Sequence, residues 1–320
     1  MRPKARFALA AALAASAALA FAAEGGHRRS PYVGAMAVDA QTGKVLFSDR
    51  ADAAAYPASV TKLMTLLLVM EDVRAGKYSY DTQVAATQEA YMSEPSWVGL
   101  KAGERMSVKD LCYALMVESA NDAAIVLGVN SSGSLQAFVD RMNARAAELG
   151  MAGTAYYNPN GLPPNPKKKY PWKRFNVSTA ADQATLAVAI LKMPEALEFT
   201  SVKTCDLVKT KGGYRVFVTR RGSETPRTTV LANGEKIVKS MRNHNNVMRT
   251  DKLKIVNADG KEAVDGLKTG YIDAGGSSVV LTGRRGARRA VVVVLGSSSS
   301  KERDANARRL MEDALDALDW

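Results

Sequence analysis

A serine and a lysine three residues apart, Ser59 and Lys62 in Pro57-Ala58-Ser59-Val60-Thr61-Lys62, stand at the head of an apolar run from Leu63 to Met70. The run predicts a helix that stops at Gly76, which places both side chains on one face within reach of each other. A serine hydroxyl is a weak nucleophile at neutral pH and needs a base, and a lysine serves as one only if it gives up its proton. Closeness to the positive end of the helix dipole and burial both favour the neutral amine. Taken alone, the spacing reads as a helix cap followed by a solvated lysine, because Ser298-Ser299-Ser300-Lys301 repeats it. The chemistry depends on partners elsewhere in the chain.

Two other stretches offer such partners. Ser119-Ala120-Asn121 follows a helix capped at Ser107, which carries Leu111, Leu115 and Met116 and ends at Glu118. It precedes a second apolar helix from Asp122 to Gly128. A helix corner of this kind holds a hydroxyl that can pass a proton and a carboxamide that can bind a substrate peptide group, although the same residues also read as caps. The third stretch, Asp265-Gly266-Leu267-Lys268-Thr269-Gly270, enters a strand through Tyr271. Lys268 and Thr269 there offer a cation and a hydroxyl to a carboxylate, and Gly270 admits a close approach by a substrate backbone.

His27 and His244 are the only histidines, and no Gly-x-Ser-x-Gly elbow occurs. A His-rich metal site is thereby excluded, and a serine enzyme built on this chain would take lysine as its base. No metal or cofactor is expected. Cys112 and Cys205 read as two unpaired thiols, since one pair makes no disulfide framework.

The elements that must position these residues follow from pattern. The 320 residues, 47% hydrophobic and 24% charged, suit a soluble globular chain with a full core. Arg2, Lys4 and Arg6 precede an Ala/Leu-rich run ending in Ala20-Phe21-Ala22, which reads as a signal peptide over 1–22 cleaved before Ala23. Export to the periplasm or outer side of the envelope follows, with no stable membrane anchor. Net charge is +12, and +9 without the three basic residues of the leader, which favours anionic wall polymers and makes nucleic acid a poor partner.

In the mature chain, Tyr32–Val38 and Lys44–Ser48 form a hairpin, and Lys77–Arg105 reads as polar and irregular. Helices follow over Leu135–Leu149 and from Ser178-Thr179-Ala180-Ala181-Asp182 to Lys192. Alternation begins at Lys203, with strands at Arg215–Val218 and Thr229–Ala232, the latter paired with Glu235–Val238 through Asn233-Gly234. Further strands lie at Leu267–Tyr271, Ser277–Thr282 and Ala290–Leu295, before a last helix carrying Ala307, Leu310, Met311, Ala314, Leu315 and Leu318 on one face. The order gives an α+β fold: domain 23–320 divides into a sheet part, 30–56 and 203–320, and an inserted helical part, 57–202.

Ser59-x-x-Lys62, Ser119-x-Asn121 and Lys268-Thr269-Gly270, in that order, resemble the three motifs of the penicillin-recognising serine enzymes. Tyr56 to Thr65 and Asp265 to Tyr271 are most similar to serine D-alanyl-D-alanine carboxypeptidases, the low-molecular-mass penicillin-binding proteins. Asn158-Pro159-Asn160-Gly161-Leu162, Ser178-Thr179-Ala180-x-Asp182 and Asn243-His244-Asn245 extend the resemblance, which covers Tyr32 to Trp320. It implies a β-lactamase/transpeptidase-like fold, an antiparallel sheet flanked by helices with an all-helical lobe and the site between them. It also implies that Ser59, Lys62 and Ser119 are catalytic and that Asn121, Lys268, Thr269, Gly270, Tyr271 and Arg303 bind substrate, a peptidoglycan stem peptide. β-Lactams become acylating inhibitors, and the chain is expected to act as a monomer.

The loop at 163–176 and the region at 203–240 look longer than in typical members, and the chain resembles only the catalytic domain of longer ones. A serine β-lactamase would carry an Asp at Ala120 and a Glu-x-x-x-Asn loop before the third motif, whereas Glu302 and Asn306 come after it. A D,D-endopeptidase and a non-catalytic penicillin- or peptidoglycan-binding module stay open as alternatives.

Overall fold

The computed structural model describes residues 27–91, 95–165, 172–218 and 235–318. Strands β1 (Gly34–Asp39), β2 (Val45–Asp49), β8 (Val264–Ile272), β9 (Gly276–Arg285) and β10 (Arg288–Ser297) form one antiparallel sheet in the order β2-β1-β10-β9-β8. Residues 291–295 of β10, four valines and a leucine, are all fully buried. Such an unbroken apolar run forms when both faces of a strand are covered, since alternate side chains point to opposite faces. Val292 and Val294 pack with Leu310, Met311 and Leu315 of the last helix, α7 (Ser300–Ala317). Val291, Val293 and Leu295 pack instead with the helical half.

That half is built around α1 (Lys62–Arg74), whose residues from Lys62 to Met70 are all buried. Around it lie α2 (Val108–Tyr113), α3 (Asn121–Ser132), α4 (Leu135–Glu148) and α5 (Ala180–Leu191). Three of these start at side-chain caps: Ser107 and Thr179, where the sequence places helix starts, and Ser134 accept from the backbone N–H of Asp110, Asp182 and Ala137. A short helix, α6 (Ala196–Thr200), closes the insertion.

The region after Lys203 departs from expectation. Its first strands, over residues 204–242, do not join the first sheet. β5 (Thr204–Thr210), β6 (Gly213–Val218) and β7 (Lys236–Arg242) combine with β3 (Gln83–Ala85) and β4 (Arg105–Ser107) in a second sheet, ordered β3-β4-β6-β5-β7. The stretch read as irregular, 77–105, thus supplies β3 and the first residue of β4, strands of three residues each and too short to show an alternation. Part of the Asn233-Gly234 hairpin lies outside the described residues. The strand after it pairs with β5, Val208 facing Ile237 and Cys205 facing Met241.

Cys112 and Cys205 are buried free thiols. Residues 1–22, expected to form a leader, lie outside the described residues. Among the described residues no helix is long and apolar enough to cross a membrane, and no group of three or more His, Cys, Asp or Glu is placed to hold a metal ion.

Candidate active site

The chain enters α1 through one tight turn, Ala58–Thr61, with Ala58 in the left-handed region at φ 50°. Ser59 sits on this turn, and Lys62 is the first residue of α1. Lys62 is completely buried. Its Nζ lies 2.9 Å from Ser59 Oγ, 2.8 Å from Asn121 Oδ1 and 2.7 Å from the Asn160 carbonyl oxygen. Burial pushes the lysine well below its ordinary range, the charge of Lys268 adds to the effect, and Asp122 opposes it. A neutral amine has two N–H donors and one lone pair, and the Asn121 and Asn160 oxygens are acceptors only. Both N–H groups go to them, and the lone pair is left for the Ser59 hydroxyl.

Residues 158–162 form the wall that carries the Asn160 carbonyl. Asn158 Oδ1 accepts from Gly161 N at 2.6 Å, and Thr65 Oγ1 of α1 donates to the Pro159 carbonyl at 2.7 Å. Gly161 has φ 83°, and a Cβ there would overlap the Ala58 carbonyl oxygen. Only glycine lets this loop lie on the Ser59 turn.

After α2 the helix widens to an i→i−5 turn over Ala114–Glu118, where the Ser119 N–H reaches the Ala114 carbonyl. Such a widened turn recurs at functional sites because it re-aims the residues that follow. Ser119 has φ 62° and ψ 33°, a strained conformation for a serine. Its Oγ is buried and has no hydrogen-bond partner among the described residues. Ser119 and Asn121 do not cap α3; Ala120 occupies that position without a side-chain bond. Asn121 N donates to the Ser96 carbonyl at 2.7 Å. The buried Asp122 carboxylate accepts from the N–H groups of Val98, Gly99, Leu100 and Ala123, fixing loop 96–100 beside the corner.

Strand β8 supplies the opposite wall. Lys268 is buried and donates to the Thr269 carbonyl at 3.0 Å. Burial, then the charge of Arg303, pushes it down to about 7, against the pull of Glu118. Thr269 is buried, whereas Tyr271 is 55% exposed and its hydroxyl donates to Asp273 at 2.7 Å. The close approach that Gly270 permits is to the protein's own backbone: a Cβ there would lie 2.5 Å from the Pro57 carbonyl oxygen and 3.1 Å from the nitrogens of Ser59 and Val60. Reading that glycine as an opening for substrate missed this contact.

Arg303 is 5% exposed, and its Nε and Nη2 lie 2.8 and 2.6 Å from Asp304 Oδ1, so part of its donor fork is already occupied. The exposed His244 side chain is pushed down to about 4 by partial desolvation, then by Lys268, Lys62, Arg249 and Arg303, and stays neutral near pH 7. The structure therefore joins Ser59, Lys62 and Asn121 by hydrogen bonds, brings Lys268 into their electrostatic field, and sets Ser119 two residues from Asn121. Asn160, Gly161 and Asp122 are site residues that spacing alone did not single out. The signals for the first two were the turn chemistry of Asn158-Pro159-Asn160-Gly161 and the place of that stretch in the family resemblance.

The D-alanyl-D-alanine carboxypeptidase profile, peptidase S11, matches residues 32–299. D-alanyl-D-alanine carboxypeptidase DacF of Bacillus subtilis (strain 168) is 29% identical over 297 residues, 92% of this chain and 65% of that protein. The crystal structure of D-alanyl-D-alanine carboxypeptidase DacD from Francisella tularensis superimposes with a TM-score of 0.74 at 28% identity, over 89% of this chain and 70% of that one. Penicillin-binding protein D2 from Listeria monocytogenes, solved in its ampicillin-bound form, gives 0.67 at 27% identity, over 89% of this chain and 97% of that one. The expected α+β, transpeptidase-like architecture is the fold of these structures. The chain spans between 38% and 65% of the length of the first four curated relatives it matches. With the match covering most of the chain, Lys62 bonded to Ser59 and Asn121, and Gly270 packed on the Ser59 turn, the protein belongs to the D-alanyl-D-alanine carboxypeptidase family, peptidase S11.

Proposed function

We propose that the protein is a serine D-alanyl-D-alanine carboxypeptidase that removes the terminal D-alanine of peptidoglycan stem peptides through an acyl-enzyme on Ser59. The observation that carries this reading is the buried Lys62 amine 2.9 Å from Ser59 Oγ, with obligate acceptors on its other two sides. Lys62 takes the Ser59 proton as Oγ bonds to the carbonyl carbon between the two D-alanines. The backbone N–H groups of Ser59 and Tyr271 hold the oxyanion. As the C–N bond breaks, Ser119 passes a proton to the departing D-alanine amine. Asn121 binds the substrate amide, while Lys268, Thr269 and Arg303 take its terminal carboxylate. Water then gives its proton to Lys62, whose first proton has left through Ser119 with the D-alanine amine, and attacks the acyl carbon; the bond to Ser59 Oγ breaks as Lys62 returns a proton to it, releasing the shortened peptide. A β-lactam enters the same steps as an acylating inhibitor, its ring amide being the bond that opens.

The leader places this reaction outside the cytoplasm, in a mature chain that starts at Ala23 and acts as a monomer. Mass spectrometry after incubation with penicillin tests the reading. One penicillin mass on the Ser59 peptide, retained far longer than a β-lactamase adduct, together with D-alanine release from a peptide ending in D-alanyl-D-alanine, is the expected result. An unmodified Ser59, or rapid hydrolysis of penicillin over many turnovers, overturns it.

A further inference from the structure

Asn176 lies outside every motif used above, yet it is 3% exposed and wedged against the Ser59 turn. The segment it begins is pinned on both sides: Val177 N donates to the Ala155 carbonyl at 3.0 Å and Ser178 N to the Ala55 carbonyl at 2.9 Å. Its Oδ1 accepts from Tyr157 N at 2.7 Å and Asn158 N at 3.1 Å. Its Nδ2 donates to Thr61 Oγ1 and to the Asn158 carbonyl, both at 3.0 Å. Two acceptor sites and two donors are therefore all used. An aspartate would face the Asn158 carbonyl with a carboxylate, and a glutamine is one methylene too long.

This single carboxamide ties loop 157–162 to the residue next to Lys62. We infer that Asn176 is a positioning residue: it sets the Asn160 carbonyl against the Lys62 amine and so aims the lysine lone pair at Ser59 Oγ. The inference rests on the proposed role of Lys62 as base.

Holding the fold and aiming the base are separable by pH. A carbonyl accepting from Lys62 favours its charged form, so withdrawing that carbonyl lets the base lose its proton at lower pH while its aim is lost. Loosening that merely admits water does the reverse, because hydration restores the ammonium. The other groups facing Lys62, namely Lys268 from β8, Asp122 from α3 and His244, are untouched by the variants.

The test is the second-order rate of Ser59 acylation by a fluorescent penicillin from pH 5 to 10 in the full chain, for wild type, Asn176→Ala and Thr61→Val. Asn176→Ala should lower the plateau about ten- to a hundredfold, as a misplaced catalytic group does, and move the acid limb to lower pH. Thr61→Val should do the same more weakly. A plateau within about twofold of wild type, or an acid limb that stays in place or rises, overturns the inference. If Asn176→Ala does not fold, Thr61→Val and Thr65→Val decide by the same two readings. Failure of the wild type to acylate at Ser59 defeats the functional reading instead, which is a different result.

Discussion

Gly270 of β8 packs directly on the backbone of the nucleophile: a Cβ built on it would stand 3.1 Å from Ser59 N and 2.5 Å from the carbonyl oxygen of Pro57. The strand and the Ser59 turn are thus held at a distance that only the absence of a side chain allows. Gly270→Ala should push them apart, reducing penicillin acylation by about a hundredfold. The same change should lower stability by about 1–3 kcal/mol through overpacking. Acylation kinetics and urea unfolding of the same variant check both numbers.

Lys62→Arg keeps a basic side chain but removes the chemistry, because a guanidinium does not give up its proton near neutral pH. Acylation should fall by about 10²–10⁴, the usual contribution of a general base. If the rate survives, the base is another group, and His244, neutral with its pKa at about 4, is the next to mutate.

The pH dependence should have two limbs. Rising pH neutralises Lys62 and switches the base on, but it also discharges Lys268 near pH 7 and weakens its hold on a carboxylate. Cleavage of a peptide with a free C-terminus should therefore fall on the alkaline side, and Lys268→Arg should remove that fall while leaving the acid limb. Lys268 also sets a stability slope. Its pKa is lower in the folded chain than the ordinary 10.5, so between about 7 and 10.5 the unfolded chain binds more protons and stability rises with pH. Urea unfolding at several pH values in that window should show a slope of up to about 1.4 kcal/mol per unit, diminished in Lys268→Met.

Arg303→Ala tests carboxylate capture only if its structural cost is separated. Asp304 is 4% exposed and takes both Arg303 and, at 2.9 Å, Asn246 Nδ2, so removing the arginine strands a buried charge. The single variant should lose about 3–5 kcal/mol of stability, and Arg303→Met with Asp304→Leu should recover most of it. In that double variant, cleavage of a peptide acid should fall about ten- to a hundredfold, with its C-terminal amide affected much less. Equal loss on both substrates removes Arg303 from carboxylate binding.

What the sequence disclosed depended on where the chemistry is carried. Ser59, Lys62 and Asn121 meet through their side chains, so type and spacing marked them, and the caps at Ser107 and Thr179 marked the starts of α2 and α5. The third acceptor on Lys62 is the Asn160 backbone carbonyl, a group every residue has, and nothing in composition points to it. Asn176 acts through contacts with residues distant in sequence, which no local pattern records. The second sheet escaped because β3 and β4 are too short for period-2 reading, and β4 meets β6 through the single pair Arg105 and Gly213. By contrast β10, covered on both faces, declared itself as a valine run.

The pairing of β1 with β10, Gly34 facing Leu295 and Asp39 facing Ala290, sets a clock on activity. A chain made from its N-terminus has the Ser59–Lys62 segment long before β8 to β10 exist. At ~5–20 residues per second that delay is on the order of tens of seconds. Throughout it, β1 has only β2 beside it, Gly270 is not yet there to back the Ser59 turn, and Lys268 contributes no field to Lys62. The proposed nucleophile is synthesised first and armed last.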